Sequence, residues 1–138
     1  MPVLSGASGG NIAASLAPLL GMEQIQLENR RFPDGEAYVR VPTDAIEAVR
    51  SEPSVLVSNT YPDSGIMQTL LLLGAISDVR RGDLANLKQE GPQSLEDVGP
   101  GIVLAIPYYG YARQDKRFSP GESVSARQIA DMISAYCD

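Results

Sequence analysis

Three short apolar runs constrain this chain more than any other feature: PVLSG at residues 2–6, SVLVSNT at 54–60 and GIVLAIP at 101–107. A strand with one wet face alternates apolar and polar side chains. A continuous run of branched residues instead suits a strand covered on both faces, as in a parallel sheet between helices. Helical periodicity follows each run. After the turn SGASGG, Ile12, Leu16 and Leu20 recur at helical spacing, with Gly21 as a stop and Pro18 expected to kink or shorten the helix. After the second run, Ile66, Met67, Leu70, Leu71, Leu73 and Ile76 fit a largely buried helix. Ala126, Ile129, Ala130, Ile133 and Cys137 mark one face of a last helix, which opens with Ser125 and Gln128 at capping-box spacing. QIQLENRRF and AYVRV flank a PDGE turn and read as strands joined by a tight loop. The expected architecture is α/β, a mainly parallel sheet flanked by helices with right-handed crossovers, in one domain over residues 1–138. The polar stretch 81–100, bracketed by glycine and proline, is long for a helix-to-strand connection and reads as a surface insertion.

Composition narrows the function. A net charge of −6 argues against a surface that grips nucleic acid, so any anion site must be local. No window approaches the ~20 continuous apolar residues of a membrane helix, and the N-terminal stretch lacks the basic head and apolar core of a secretory signal. The chain contains no histidine, which leaves carboxylates, amides, arginine and lysine for any chemistry. Its single cysteine, Cys137, cannot form an intrachain disulfide and sits in an apolar helical pattern, which suits packing in a reducing cytoplasm.

Two stretches concentrate side chains that a turn does not need. YYGYARQDKRFSPGE, residues 108–122, hangs from the carboxyl end of the third run, where ligands settle in open α/β sheets. Arg113, Lys116 and Arg117 there suit a polyanion, since guanidinium groups match phosphate oxygens in pairs and lysine adds a compact charge. A solvated basic turn paired with Glu122 or Asp115 explains the same spacing. The second stretch, NRRFPDGEAYVR at residues 29–40, sets Phe32 beside Asp34 and Glu36 around Gly35. An aromatic face stacks on a flat base and a carboxylate accepts from an exocyclic amine, which together would recognise adenine. A plain hairpin turn with Phe32 in the core remains the alternative. The loop SGASGGN has neither dinucleotide-binding spacing nor the lysine and hydroxyl of a P-loop, and reads as a turn.

Taken together, RRFPDGEAYVRV, SNTYPDSGIMQTLLLLGAI and IPYYGYARQDKRFSPGESVSARQIADMI resemble the N-terminal half of ribose-phosphate pyrophosphokinase (phosphoribosyl pyrophosphate synthase). The resemblance spans nearly the whole chain apart from 81–100, and Gly121 with the passage into Phe118 looks most like the archaeal branch. It implies a phosphoribosyltransferase-like N-terminal domain. It also implies that Phe32, Asp34, Gly35 and Glu36 form an adenine-recognition loop reaching into a neighbouring subunit. Arg113 and Gln114 would contact ATP, with Arg113 toward the phosphates, and Asp115, Lys116 and Arg117 would continue that motif. Enzymes of the family bind Mg²⁺ with ATP and transfer its diphosphoryl group to ribose 5-phosphate, as cytoplasmic homo-oligomers. The family's metal-binding histidine, catalytic lysine loop and phosphoribose loop have no counterpart in this sequence, and Gly74 stands where aspartate is usual. The expectation is therefore an N-terminal portion with no catalytic or metal-ligating residue of its own, inactive by itself. A noncatalytic regulatory or assembly module associated with the synthase is the second reading, and an unrelated flavodoxin-like binding domain the third.

Overall fold

A computed structural model of the chain describes residues 1–82 and 101–137. Its elements are β1 (Val3–Ser5), α1 (Gly10–Leu20), β2 (Gln24–Gln26), β3 (Glu28–Arg31), β4 (Ala37–Arg40), a 3₁₀ turn (Thr43–Ala45) leading into α2 (Ile46–Ser51), β5 (Ser54–Val57), α3 (Asp63–Arg81), β6 (Ile102–Ala105) and α4 (Ser125–Ser134). β1, β2, β5 and β6 form a four-stranded sheet in the order β2-β1-β5-β6, with every neighbouring pair parallel. The register sets Leu4 beside both Ile25 and Leu56, and Leu56 beside Leu104. The mainly parallel α/β architecture expected from the apolar runs is the one observed.

The two central strands explain why two of those runs are continuous. Val3, Leu4, Leu56 and Val57 are fully buried, and because side chains alternate across the sheet they feed two different cores. Leu4 and Leu56 join Val49, Leu72, Leu73, Ile76, Ile102, Ile129 and Ile133 in the larger one, beneath α2, α3 and α4. Val3, Val55 and Val57 meet Ala13 and Ala17 of α1 in the smaller. β6 departs from expectation: it is an edge strand among the described residues, and Val103 is half exposed. Val103 stands level with Val55, on the side where α1 lies over β1, β2 and β5.

The helices also correct the sequence reading. In α1 the buried residues are Ala13 and Ala17, whereas Ile12 and Leu20 are exposed. The reason is a close approach of backbones: a Cβ on Gly9 would lie 2.1 Å from the carbonyl oxygen of Val57, so only small side chains fit between the start of α1 and the sheet. The helix passes through Pro18 and ends at Gly21, whose φ of 65° is left-handed, with Met22 N–H donating to the Ala17 carbonyl at 2.9 Å. In α3, Leu72, Leu73 and Ile76 are buried, but Met67 and Leu71 face outward. α4 is not closed by a capping box. Ser125 Oγ donates instead to Gln114 Oε1 at 2.7 Å, and Ser123 Oγ donates to Gln128 Oε1 at 2.9 Å.

The QIQLENRRF run divides in two. Residues 24–26 add β2 to the parallel sheet, Leu27 is buried at the crossing, and β3 then pairs antiparallel with β4, Arg30 opposite Tyr38 and Asn29 opposite Val39. Of the stretch read as an insertion, residues 83–100 lie outside the described residues.

Candidate functional site

β1 and β5 lie side by side, yet β2 follows on the far side of β1 and β6 on the far side of β5. That reversal opens the crevice beyond the carboxyl ends of the strands where ligands bind in doubly wound sheets. Three loops meet there, and Asn59 ties them. Its backbone N–H donates to Ser8 Oγ at 3.2 Å, its side-chain Nδ2 donates to the Ser8 carbonyl at 2.9 Å, and its Oδ1 accepts from the N–H of Tyr108 at 2.9 Å. The loops after β1, β5 and β6 are thereby held by one side chain and its own amide.

The third loop continues to be fastened residue by residue. Thr60 N–H donates to the Tyr108 carbonyl at 3.2 Å, and Gly110 N–H donates to Thr60 Oγ1 at 2.8 Å. A Cβ at Gly110 would come within 2.1 Å of the Thr60 carbonyl oxygen, so the loop needs glycine there. Tyr111 adopts a positive φ of 63°, a costly conformation for a bulky residue. Its hydroxyl donates to Asp63 Oδ1 at 2.6 Å, and its carbonyl accepts from Gln114 N–H at 2.8 Å. The hydrogen bond to Asp63 raises the Tyr111 phenol above its ordinary range, with smaller contributions from burial and the carboxylate charge. Tyr109 donates to the Ala126 carbonyl at 2.6 Å, fixing the loop to α4; burial, then the charge of Asp131, raises its phenol. Two of the three tyrosines in this loop are thus anchors. Tyr108 is exposed and meets the edge of Tyr61, ring centroids 5.4 Å apart.

Beyond these anchors the loop presents its cations. Arg113, Lys116 and Arg117 are exposed, and among the described residues none of them lies within 4.0 Å of a carboxylate. The pairing with Glu122 or Asp115 that a solvated turn would use is not formed. Glu122 Oε2 instead accepts from the backbone N–H groups of Phe118 at 2.7 Å and Ser119 at 3.0 Å, and Arg117 Nε donates to the Glu122 carbonyl at 2.9 Å. Glu122 closes the turn at Gly121, whose φ is 88°. Gln114, whose Oε1 is engaged by Ser125, keeps its amide nitrogen as a donor. Gln114 and Lys116 line a pocket of about 320 Å³ with Phe118, Glu122 and Ser123; Arg113, Asp115 and Arg117 are exposed on the same loop.

The hairpin carries the other candidates. Gly35 has a φ of 92°, Phe32 N–H donates to the Glu36 carbonyl at 2.9 Å, and Asp34 Oδ1 accepts from the N–H of Glu36 at 3.0 Å. One oxygen of Asp34 therefore serves the turn. Phe32 is not in the core: it is 39% exposed, its ring edge-on to Tyr38 with centroids 5.7 Å apart. The Arg30 guanidinium lies 4.9 Å from the centroid of Phe32 and 4.1 Å from that of Tyr38. Gly35 and Glu36, with Arg31 and Ala37, face Ser64, Met67 and Leu71 of α3 across a pocket of about 490 Å³. That pocket shares no residue with the one under the cationic loop, so the two groups of candidates occupy separate places in this chain. Sequence reasoning missed Asn59, Thr60, Asp63 and Arg30. Asn59 and Thr60 carried a signal in the SNT that follows the second run, since such side chains bond readily to backbone, but ordinary turns show the same composition.

Residues 100–136 match the family model described as the N-terminal domain of ribose phosphate pyrophosphokinase. The ribose-phosphate pyrophosphokinase of Methanothermobacter thermautotrophicus is 35% identical over 135 residues, covering 96% of this chain and 39% of the relative. That of Methanosarcina acetivorans is 38% identical over 135 residues, covering 98% and 39%. Among solved structures, phosphoribosylpyrophosphate synthetase from Mycobacterium smegmatis shares the fold with a TM-score of 0.71 at 24% identity, over 99% of this chain and 39% of that one. The chain is thus similar along nearly its whole length to ribose-phosphate pyrophosphokinases, and spans 39% of the length of these relatives.

Proposed function

We propose that this chain is the N-terminal, nucleotide-binding part of a ribose-phosphate pyrophosphokinase: one domain, acting in a cytoplasmic homo-oligomer on ATP and ribose 5-phosphate, and incomplete for catalysis by itself. The observation that carries the reading is the loop after β6. Its first residues are pinned to Asn59, Thr60 and Asp63 at the crevice, and its cations Arg113, Lys116 and Arg117 are exposed without a carboxylate partner among the described residues. A chain of net charge −6 that presents three neighbouring cations on a fastened loop, without a carboxylate partner among the described residues, is suited to a polyanion, and a triphosphate is the polyanion a pyrophosphokinase would use.

In this reading Arg113 holds phosphate oxygens through its paired donors, and the amide nitrogen of Gln114 donates to the same group. Lys116 and Arg117 add positive charge along the triphosphate. The anomeric hydroxyl of ribose 5-phosphate attacks the β-phosphorus, the bond from that phosphorus to the bridging oxygen breaks, AMP leaves with that oxygen, and the hydroxyl proton passes to solvent. Fixed cations lower the barrier by offsetting the charge that builds on the transferring oxygens. Mg²⁺ would travel with the triphosphate. No three His, Cys, Asp or Glu side chains converge among the described residues, and the triphosphate itself supplies oxygens for the ion. The hairpin with Phe32, Asp34, Gly35 and Glu36 supplies adenine recognition to an adjacent copy, with Phe32 stacking on the base. No described helix is long and apolar enough to cross a membrane.

Arg113→Ala in the whole protein tests this directly. Losing one such donor is expected to lower kcat/KM by about 10²–10³-fold with the thermal midpoint nearly unchanged. Unaltered kinetics with Mg·ATP would remove Arg113 from the site.

A further inference from the structure

The strand period and the hairpin register place Arg30, Phe32 and Tyr38 together: Arg30 and Phe32 are two apart on β3 and its extension, and Tyr38 stands opposite Arg30. The guanidinium lies over both rings, 4.9 Å from the Phe32 centroid and 4.1 Å from the Tyr38 centroid, while the rings meet edge to face at 5.7 Å. Arg30 makes no ion pair among the described residues, so the rings are its described partners. The salt bridge on this hairpin joins Arg40 to Glu28 instead. Phe32 remains 39% exposed, which leaves ring surface free after the cation and Tyr38 have taken their share.

We propose that Arg30 is a positioning residue for base recognition: clamped against Tyr38, it holds the Phe32 ring in one orientation at the hairpin tip and leaves its other face open to stack on a purine. The proposal rests on the reading of this hairpin as the adenine-contacting element. The physical gain is pre-organisation. A free phenylalanine at a loop tip loses rotamer freedom when a base stacks on it, and a ring already held by a cation on one face and an aromatic edge loses less. Arginine is suited to this where lysine is not, because its planar guanidinium stacks over the ring.

The test compares Arg30→Gln, Phe32→Ala and the double variant in the whole protein, with KM for Mg·ATP, kcat and the ATP-to-GTP preference as readouts. Arg30→Gln is expected to raise KM about 3- to 10-fold with kcat unchanged, to lower the preference for ATP, and to leave the thermal midpoint within about 2 °C, because the side chain is exposed. Arg30→Lys should recover only part of the loss. The decisive arm is the double variant: if Arg30 acts through Phe32, it is no worse than Phe32→Ala alone. Phe32→Ala impaired and Arg30→Gln like wild type, or losses that multiply in the double variant, would overturn the role of Arg30 while leaving the hairpin in the site. A wild-type KM and base preference in both single variants would overturn the hairpin reading itself.

Discussion

Tyr111 shows how single residues hold the candidate site in shape. Its backbone sits at a positive φ that a tyrosine does not choose, and what keeps it there is local: Asp63 accepts from its hydroxyl, Gln114 donates to its carbonyl, and Gly110 behind it is pressed against Thr60. The donor role requires a protonated phenol, and the Asp63 bond raises the phenol above its ordinary value of about 10. A group whose folded value is raised lends its stabilisation in full below the unfolded value and loses it as pH climbs through the folded one. The anchoring of the loop is therefore expected to be independent of pH through the neutral range and to weaken only above about pH 10. Tyr111→Phe should diminish that alkaline step, leaving the share of Tyr109, whose raised phenol also anchors the loop, and weaken Mg·ATP binding already at neutral pH. Ultraviolet titration of phenolate against nucleotide affinity checks both, and an alkaline step undiminished in Tyr111→Phe would assign it to another group.

At the scale of elements, the loops at the carboxyl edge depend on Asn59 as the strands depend on the core. Asn59→Ala removes the side-chain bonds to Ser8 and Tyr108 and leaves the Ser8 carbonyl and Tyr108 amide to find water. Exchanging such exposed hydrogen bonds for water costs about 0.5–1.5 kcal/mol each. A fall of that size in chemical denaturation, together with a larger proportional loss of Mg·ATP affinity, is expected; a stability loss with unaltered affinity would mean that the third loop does not need its tether. β1 and β5 were legible in the sequence because burial on both faces writes a continuous apolar run, β6 because it carries a similar run although Val103 is half exposed, and the hairpin because PDGE separates two alternating segments. The apolar face of α1 was not legible. Gly9 brings the start of the helix against the Val57 carbonyl and Ala13 and Ala17 take the buried positions; of the three larger residues at helical spacing Leu16 packs beside them, whereas Ile12 and Leu20 point outward. The apparent capping box at Ser125 was misread for a related reason: Gln114, distant in sequence, takes the hydroxyl. The six-residue α2 and the 3₁₀ turn before it carry too few residues to show a period. Among the candidate site residues, the cationic loop and the hairpin tip were visible as unusual concentrations of side chains. Asn59 and Arg30 were not, because their roles exist only through partners that the fold brings together.

For the whole molecule, the acidic balance and the cationic loop are complementary: an overall charge of −6 repels polyanions at long range, while Arg113, Lys116 and Arg117, with no carboxylate partner among the described residues, give a local attraction. The hairpin and the loop line separate pockets with no residue in common. A nucleotide that needs both is accommodated if the hairpin of one copy completes the loop of another, which would make assembly a condition of activity. Mixing two damaged copies tests that shared site most directly. Arg113→Ala spoils the phosphate loop but leaves an intact hairpin to lend, and Phe32→Ala does the reverse. Co-expression of the two variants of the whole protein should form mixed assemblies with synthase activity well above either variant alone, since some sites then combine an intact loop with an intact hairpin. Mixed assemblies no more active than the average of the two single variants would contradict the account.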